Sequence, residues 1–385
     1  MKKILYIQFT DPIHWPVIMH GANILGKKNW DILFLGAHNI PDSSQRIQMD
    51  LNHNIRIKML AYCAPGLMQK LQYLFYNLWV LFYLYAWKPD VVYVAEKMLC
   101  PVANFIKKNS SVILIYNELL CVNDESDISP KFLINARRKT AKIADLCILP
   151  NQPRLNKFIN ELGDYSNTIY THSYPPLDEI KSLPIKEKSS QLKLKIFYHG
   201  MIGPDRLPLQ LFEAIEDLKA SVELTIAGVD LSGPTGYSSI IKDLIIKKGL
   251  VESVNYIGLI QDRHDLLKEC SKADVGLCLV QKSIQNGIEP EFDMAGGAQR
   301  PFEHMALGLV PLVTDVKDWH ELFVIDGYGF SCNPDDTISI KELLLDLYKR
   351  KNELYEIGQK NREKILNDWN YDYEFKKIEY FLEKY

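Results

Sequence analysis

Short apolar runs with many β-branched residues recur along the chain, and most are followed by a stretch with the apolar spacing of a helix. Runs of this kind fill parallel sheets whose two faces are covered by helices. The regular alternation therefore predicts the α/β class, with doubly wound parallel sheets. The predicted strands are 4–9, 31–36, 55–60, 88–95, 112–119 and 144–151 in the first half, and 194–200, 222–228, 254–258, 273–279 and 310–314 in the second.

A polar, lysine-rich stretch at 179–193 separates the two series of strands. It contains Pro184 and a pair of serines, which is linker composition. The length of 385 residues suits two domains of ordinary size, and 47% of the residues are hydrophobic, which is enough for two folded cores. We therefore predict domains at 1–178 and 194–368, followed by a closing segment at 369–385.

The last long helical pattern, 340–368, is charged and carries Gly358 in its second half. Glycine weakens a helix interior, so we expect a break near this residue. Trp369 then opens the closing segment, which is predicted to end in a final helix.

The segment 71–87 is apolar and aromatic, with six Tyr or Trp residues between Lys70 and Lys88. It is at the short limit for a membrane-spanning helix, which needs roughly 20 apolar residues. Three interpretations are open: a buried helix of the first domain, an amphipathic helix at a membrane interface, and a spanning helix. The pattern favours the buried helix.

Charge argues against nucleic acid as the main partner. The formal net charge is −3, the pI is near 6.3, and Lys and Arg form no dense stripe. Seven widely spaced cysteines without a Cys-x-x-Cys pair indicate reduced thiols, and the amino terminus shows no signal-peptide pattern. We therefore expect a cytoplasmic protein, peripheral at the cytoplasmic face of a membrane if 71–87 lies at an interface.

Residues 293–315 combine a glycine loop, a short helix and a buried strand. Gly296 and Gly297 lack Cβ atoms, so a ligand can approach the backbone there. The amino end of the helix favours an anion such as a diphosphate, and Arg300 adds a positive charge at the same point. Glu303 can accept hydrogen bonds from a vicinal diol such as a ribose. An ordinary loop–helix–strand connection is the alternative.

This stretch resembles the donor-binding segment of the retaining GT-B glycosyltransferases of the family 4, or group 1, kind. Residues 301–308, Pro-Phe-Glu-His-Met-Ala-Leu-Gly, match the family's helix with its Pro, Glu, Ala and Gly. The family usually carries another Glu eight positions before this one, where the chain has Ala295. Glu289, Glu291 or Asp293, just before the glycine loop, could take its place.

The resemblance extends to the strand–glycine turns of the second domain. The family holds the donor diphosphate on the turn after the first of these strands. The family usually has two basic residues in this turn that contact phosphate. Met201 occupies the position of the first, so Arg206, at the position of the second, is expected to bind the phosphate. The resemblance assigns the nucleotide sugar, with its base near Leu259 and Ile260, to Gly200, Gly203, Arg206, Gly228, Leu259, Ile260, Gly296, Gly297, Gln299 and Glu303.

The first domain contributes residues that the resemblance places near the acceptor and the reacting sugar. His14 and His20 follow the first strand, and Asn117 and Glu118 end the strand 112–119. The family usually has a histidine at the position of Asn117, which can bind a hydroxyl but cannot take up a proton. For each histidine alone, a loop residue bonded to backbone is the alternative. The implied catalytic set is Arg206, Arg300, Asn117, Glu118, His14 and His20.

The resemblance implies a GT-B fold, in which two Rossmann-like domains face each other across a cleft and the last helix crosses back to the first. It implies hexosyl transfer, with retention, from a nucleotide-diphosphate sugar to a carbohydrate or lipid-linked hydroxyl, in surface polysaccharide or glycolipid assembly. No cofactor is expected, because the nucleotide sugar is a substrate. The chain has no Asp-x-Asp, which is the metal-binding motif of the other main glycosyltransferase fold. Arginines are therefore expected to neutralise the charge of the leaving diphosphate in place of a metal.

Three other functions are open. A nucleotide-sugar epimerase on the same fold would convert the donor without an acceptor. A non-catalytic partner subunit is suggested by Ala295, Met201 and Asn117, which replace polar or charged residues usual in the family. The third is an unrelated two-domain α/β binding protein.

Overall fold

The computed structural model describes residues 1–40, 51–119, 129–163, 167–184, 186, 188, 192–230, 236–282 and 292–385. The chain divides into two compact units, Met1–His172 with Glu374–Tyr385, and Ser173–Tyr373. These boundaries lie close to the sequence-based division at 178 and 369 but differ from it by several residues at each junction. The stretch predicted as a linker is also partly helical, because Leu177–Ser182 forms a helix.

The first unit contains a seven-stranded sheet in which every pair of neighbouring strands is parallel. Its order is β3-β2-β1-β4-β5-β6-β7, with bounds β1 Lys3–Ile7, β2 Asp31–Ala37, β3 Ile55–Leu60, β4 Val91–Val94, β5 Ile113–Asn117, β6 Leu146–Leu149 and β7 Thr168–Tyr170. Its longer helices are α1 Pro16–Lys27, α2 Leu67–Trp87, α3 Cys100–Asn109, α4 Lys131–Ile143 and α5 Gln152–Leu162. Short 3-10 helices occupy Pro12–His14 and Lys97–Leu99.

The second unit contains a six-stranded sheet, also parallel throughout, in the order β10-β9-β8-β11-β12-β13. The strands are β8 Leu194–Met201, β9 Val222–Val229, β10 Val254–Gly258, β11 Val275–Cys278, β12 Val310–Thr314 and β13 Phe330–Cys332. The helices are α6 Leu177–Ser182, α7 Leu209–Leu218, α8 Tyr237–Lys247, α9 Arg263–Cys270, α10 Arg300–Ala306, α11 Lys317–Trp319, α12 Thr337–Lys349 and α13 Lys351–Asn367, with a 3-10 helix at Phe292–Met294 and a π-helix at His320–Val324. The chain closes with α14 Tyr371–Glu374 and α15 Lys376–Glu383.

The predicted helix break near Gly358 is wrong. The break lies at Arg350, between α12 and α13, and Gly358 is buried inside α13. A Cβ on Gly358 would collide with the carbonyl oxygen of Gly308. The glycine is therefore required for the close approach of α13 to the end of α10, where Gly308 has a left-handed φ of +78°.

One face of α2 is apolar and exposed, so the predicted buried helix is wrong over that face. Tyr76, Val80 and Leu84 are the buried residues of α2 and pack on the first unit's core. We call the opposite side the α2 outer face; its large apolar side chains, each more than half exposed, are Leu67, Met68, Leu71, Leu74, Phe75, Leu78, Phe82 and Tyr85. Across the described residues, no helix has both the length and the hydropathy needed to cross a bilayer.

Candidate functional site

The carboxyl ends of β8 and β9 meet at two glycines. Gly200 pairs in register with Gly228, and a Cβ on Gly228 would collide with the Gly200 carbonyl oxygen. Gly200 has a φ of +128°, which other residues rarely adopt. Gly228 is therefore explained by strand packing, whereas Gly200 leaves space beside the strand end that another side chain occupies.

Arg300 occupies that space. Its guanidinium carbon lies 3.5 Å from the position that a Cβ of Gly200 would take, and 4.8 Å from the centre of the Tyr198 ring. Its Nη1 atom is shut off from solvent and has no hydrogen-bond acceptor among the described residues. An unsatisfied buried N–H of a charged group is costly. Arg300 as a whole is only partly buried, so an anion that reaches its guanidinium would also satisfy this N–H.

Arg206 lies in the turn that follows β8. Its backbone N–H donates to the carbonyl of Gly203 at 3.1 Å, and its Nε lies 2.9 Å from a carboxylate oxygen of the exposed Asp205. Gly203 is therefore a turn residue whose carbonyl is used within the turn. The ion pair between the Arg206 guanidinium and Asp205 is weakened by solvent screening, because Asp205 is exposed.

Arg206 and Arg300 both influence the pKa of two buried groups, Tyr198 and Cys278. Burial raises the pKa of Tyr198, and the charge of Arg300, then that of Arg206, partly opposes the rise. Burial likewise raises the pKa of the Cys278 thiol to about 12, again opposed by Arg300 and Arg206. Both arginines are thus close enough to the carboxyl ends of β8 and β11 to influence buried groups there. Their joint contact with a diphosphate stays a prediction.

The glycine loop before α10 satisfies part of its own backbone. Gly297 and Ala298 donate their N–H groups to the carbonyl of Met294 at 2.9 Å, and the carbonyl of Gly296 accepts from Ser173 at 2.9 Å. The α10 helix has seven residues, so its dipole is smaller than that of a long helix. Arginine charge therefore carries more of the anion attraction than the sequence pattern indicates.

The position of the missing family glutamate, Ala295, is buried in this loop. Asp293 lies at its start, within the 3-10 helix Phe292–Met294. Glu289 and Glu291 lie outside the described residues. Replacement of the missing glutamate by one of these three acidic residues therefore stays a prediction. Gln299 is the residue immediately before α10.

Glu303 is 5% exposed and already ion-paired. One of its carboxylate oxygens lies 2.5 Å from Arg263, which also holds Glu179 at 2.5 and 2.9 Å. The other oxygen lies 3.5 Å from Nε2 of His199. The network joins α6, α9 and α10, and it was not foreseen because its members are far apart in sequence. The predicted ribose contact of Glu303 would use the oxygen that faces His199.

Two buried histidines lie beside this network and were also missed. The rings of His199 and His304 are 5.1 Å apart and nearly perpendicular, and burial lowers the pKa of both well below the usual value. Cys278 Sγ lies 3.2 Å from Nδ1 of His304. Within the described residues, neither Nε2 has a hydrogen-bond partner, which costs about 1–3 kcal/mol for each buried nitrogen.

The predicted base contact lies after β10. Gly258 has a φ of +83° and turns the chain, and Leu259 and Ile260 follow it with partly buried side chains. Ile260 packs against the small core that contains Leu183 and Phe197. The contact of their backbone with a nucleotide base stays a prediction.

Residues 180–364 match the family model described as glycosyl transferases group 1. We call this segment the group 1 domain, because it is the part of the chain that is similar to this family. The resemblance inferred from the sequence is thereby confirmed. Every residue assigned to the nucleotide sugar lies inside the group 1 domain. A comparison with curated protein sequences gave no match.

Solved structures share the fold along nearly the whole chain. HepE from Anabaena, solved with UDP and glucose, has a TM-score of 0.74 at 14% identity and covers 100% of both chains. Sucrose-phosphate synthase from Thermosynechococcus elongatus has a TM-score of 0.73 at 14% identity, covering 100% of this chain and 99% of its own. WaaG, a glycosyltransferase involved in lipopolysaccharide biosynthesis, has a TM-score of 0.68 at 13% identity, covering 98% of each chain. The predicted GT-B fold is therefore confirmed.

Four predicted catalytic residues lie outside the group 1 domain, in the first unit. Glu118 is 4% exposed and lies 2.6 Å from Nη2 of the buried Arg137. The amide nitrogen of Asn117 donates to the hydroxyl of Tyr93 at 2.7 Å. One oxygen of the Glu118 carboxylate is thus held in a buried ion pair, whereas Oε2 is buried without a hydrogen-bond partner among the described residues. The catalytic role of Glu118 stays a prediction.

Of the two histidines predicted to lie near the acceptor, His20 does not lie in the predicted loop. His20 is buried inside α1 and is 1% exposed, so it is part of a helix and not of a loop. His14 ends the 3-10 helix Pro12–His14, and its side chain lies outside the described part of the structure. Their contact with an acceptor stays a prediction.

Proposed function

We propose that the protein transfers a sugar, of the hexose type, from a nucleotide-diphosphate donor to a hydroxyl acceptor with retention of configuration. The observation that carries this proposal is the sequestered, unpaired Nη1 of Arg300 beside Gly200, with Arg206 acting on the same groups. The match to the group 1 family supports it. HepE has been solved with UDP-glucose, so UDP-sugars are the first donors to test.

The two arginines act on the leaving group. As the glycosidic C–O bond breaks, negative charge grows on the diphosphate, and a guanidinium can bind two of its oxygens at once. Arg300 is held in place by Tyr198, so little reorganisation is needed when the charge develops. On this proposal the leaving diphosphate is neutralised by arginine and requires no metal.

A thermal-shift screen against nucleotides and nucleotide sugars tests the function. A ligand that binds only the folded protein raises its apparent stability, so at least one nucleoside diphosphate and its sugar should raise the Tm. Donor consumption that depends on an added acceptor then supports transfer. Conversion of the donor without an acceptor would indicate the epimerase instead. Absence of any shift, with no binding by calorimetry, would indicate a non-catalytic subunit.

The Arg206→Ala variant is expected to lower kcat/KM for the donor by about 100-fold, a typical loss when one transition-state contact is removed. Initial rates of nucleoside diphosphate release measure the effect. Arg350→Ala is the matched control, because Arg350 is a partly exposed arginine of the same unit that pairs with Asp346 and Glu353. Equal rates for Arg206→Ala and Arg350→Ala would show that Arg206 does not contact the donor.

We also propose that the α2 outer face rests on an anionic membrane at its cytoplasmic side, where a lipid-linked acceptor would be presented. The exposed apolar side chains of this face form one continuous patch, whereas on ordinary protein surfaces they are scattered singly. Lys70 lies in the first turn of α2, and Lys88 directly follows its last residue. Arg56 and Lys58 lie over the rings of Trp87 and Tyr83, near the carboxyl end of the helix. Apolar side chains flanked by cations suit an anionic bilayer surface. The role of WaaG in lipopolysaccharide biosynthesis is consistent with such an acceptor.

Replacing both Leu74 and Leu78 by Glu is expected to abolish most binding to vesicles that contain anionic lipid, because the charges oppose burial of the face. Co-sedimentation with vesicles measures the bound fraction. Ile246→Glu on α8, which is 71% exposed, is the control and should bind as the wild type does. Undiminished sedimentation of the double variant would contradict this use of α2, without affecting the donor site.

A further inference from the structure

Three buried side chains from separate elements of the second unit converge on one point. His199 comes from β8, Cys270 ends α9, and His304 comes from α10. Their ligand atoms all lie within 4.8 Å of one another. Their exposed fractions are 6%, 0% and 0%, so the cluster is closed to solvent.

One imidazole nitrogen of each histidine in the cluster is unsatisfied. Among the described residues, Nε2 of His199 and Nε2 of His304 are both buried without a hydrogen-bond partner, although a carboxylate oxygen of Glu303 lies 3.5 Å from Nε2 of His199. Nδ1 of His304 is 3.2 Å from Cys278 Sγ. A partner on one ring nitrogen fixes the ring and leaves the other nitrogen as the ligand, which is the usual arrangement of metal-binding histidines.

We propose that His199, Cys270 and His304 bind one soft transition-metal cation, Zn²⁺ or Cu⁺. Imidazole nitrogen and thiolate sulfur are the ligands that these two ions share. Metal–ligand distances of about 2.0–2.3 Å place the ligand atoms of one ion roughly 3.5 Å apart. The observed spacing of up to 4.8 Å therefore requires side-chain rotations that bring the ligand atoms about 1 Å closer.

The ion would have a structural role. Burial of all three ligands leaves no access for a substrate. Structural Zn²⁺ takes four ligands, so a buried group beside the cluster, such as Glu303 with a carboxylate oxygen 3.5 Å from His199 Nε2, would complete its coordination. His199 precedes Gly200, and His304 follows Glu303, so the ion would fix two elements that carry donor-site residues. The site is independent of the proposed transfer reaction, since its occupancy is measured without a donor.

Metal content measured on the purified full chain tests the proposal. The protein is stripped with a chelator under reducing conditions, loaded separately with Zn²⁺ or Cu⁺, desalted, and analysed by mass spectrometry for metal. We expect about one equivalent of at least one ion and a rise in Tm on loading. Loading with Co²⁺ should give a thiolate-to-cobalt charge-transfer band, which reports the Cys270 ligand directly.

Cys270→Ala and His304→Gln are each expected to weaken retention on the order of 100-fold and to remove the cobalt band. Cys332→Ala is the matched control, because Cys332 is a buried thiol of the same unit outside the cluster, and it should behave as the wild type. If His304→Gln does not fold, the proposal is tested by metal retention in Cys270→Ala and by the cobalt band of the wild type. Absence of a retained ion from the wild type, or equal retention by Cys270→Ala, would overturn the proposal.

Discussion

Replacing Arg300 by methionine is expected to lower kcat/KM for the nucleotide-sugar donor by about 10²–10³-fold, the range seen when one oxyanion-stabilising donor is removed. Arg300 differs from Arg206 in having a guanidinium nitrogen with no acceptor in the described protein, shut off from water. Its contacts with Tyr198 hold it in place before a ligand arrives. The loss should therefore affect kcat as well as KM, since the interaction strengthens as charge develops.

Two further measurements make this result specific. Arg300→Lys should recover only part of the activity, because an ammonium group keeps the charge but not the paired donors of the guanidinium. The Tm of Arg300→Met should stay the same or rise, since the change removes a buried unsatisfied donor. Wild-type kinetics for Arg300→Met would exclude the guanidinium from the reaction.

The largest expected effect on stability is that of Arg137→Met in the first unit. Arg137 holds Glu118 through contacts of 2.6 and 2.7 Å and Glu161 at 3.1 Å, and its side chain is 2% exposed. Removing it leaves the carboxylate of Glu118 buried without a counter-charge, which costs about 3–5 kcal/mol. Urea unfolding, monitored by circular dichroism, should show this loss in the free energy of unfolding of the unit.

The double variant Arg137→Met with Glu118→Gln separates the structural role from a catalytic one. Removing the negative charge as well should restore much of the stability, because no uncompensated ion is then buried. If Glu118 acts only in this pair, the double variant retains donor turnover once it is folded. A folded but inactive double variant would place Glu118 in the chemistry, as the family resemblance implies.

Strands could be predicted well where a β-branched run is bounded by polar residues. β3, β10 and β12 occur at the predicted residues, and the two parallel sheets follow from the alternation of elements. β7 and β13 were missed because strands of three residues give no periodic signal. The burial of α2 was also misjudged, because a helix that is apolar on all sides does not show which side is covered.

The site could be predicted only where its chemistry is local in sequence. Gly200, Arg206 and Arg300 follow recognisable strand–turn or loop–helix patterns. The structure places Arg300 beside Gly200, and Arg206 influences the same buried tyrosine, Tyr198. The pairing of Glu303 with Arg263 and the meeting of His199 with Cys270 join residues 40 and more positions apart. Such contacts are set by tertiary packing, so no spacing rule along the chain reveals them.

Isothermal titration calorimetry of the wild type and Arg300→Met, each with UDP and with uridine, tests the central claim most directly. If the Arg300 guanidinium binds the diphosphate, the affinity for UDP should fall at least about 10-fold in the variant, whereas the weak binding of uridine should not change. A different nucleoside pair is used if the thermal-shift screen selects another base. Equal UDP affinity for the two proteins would contradict the account.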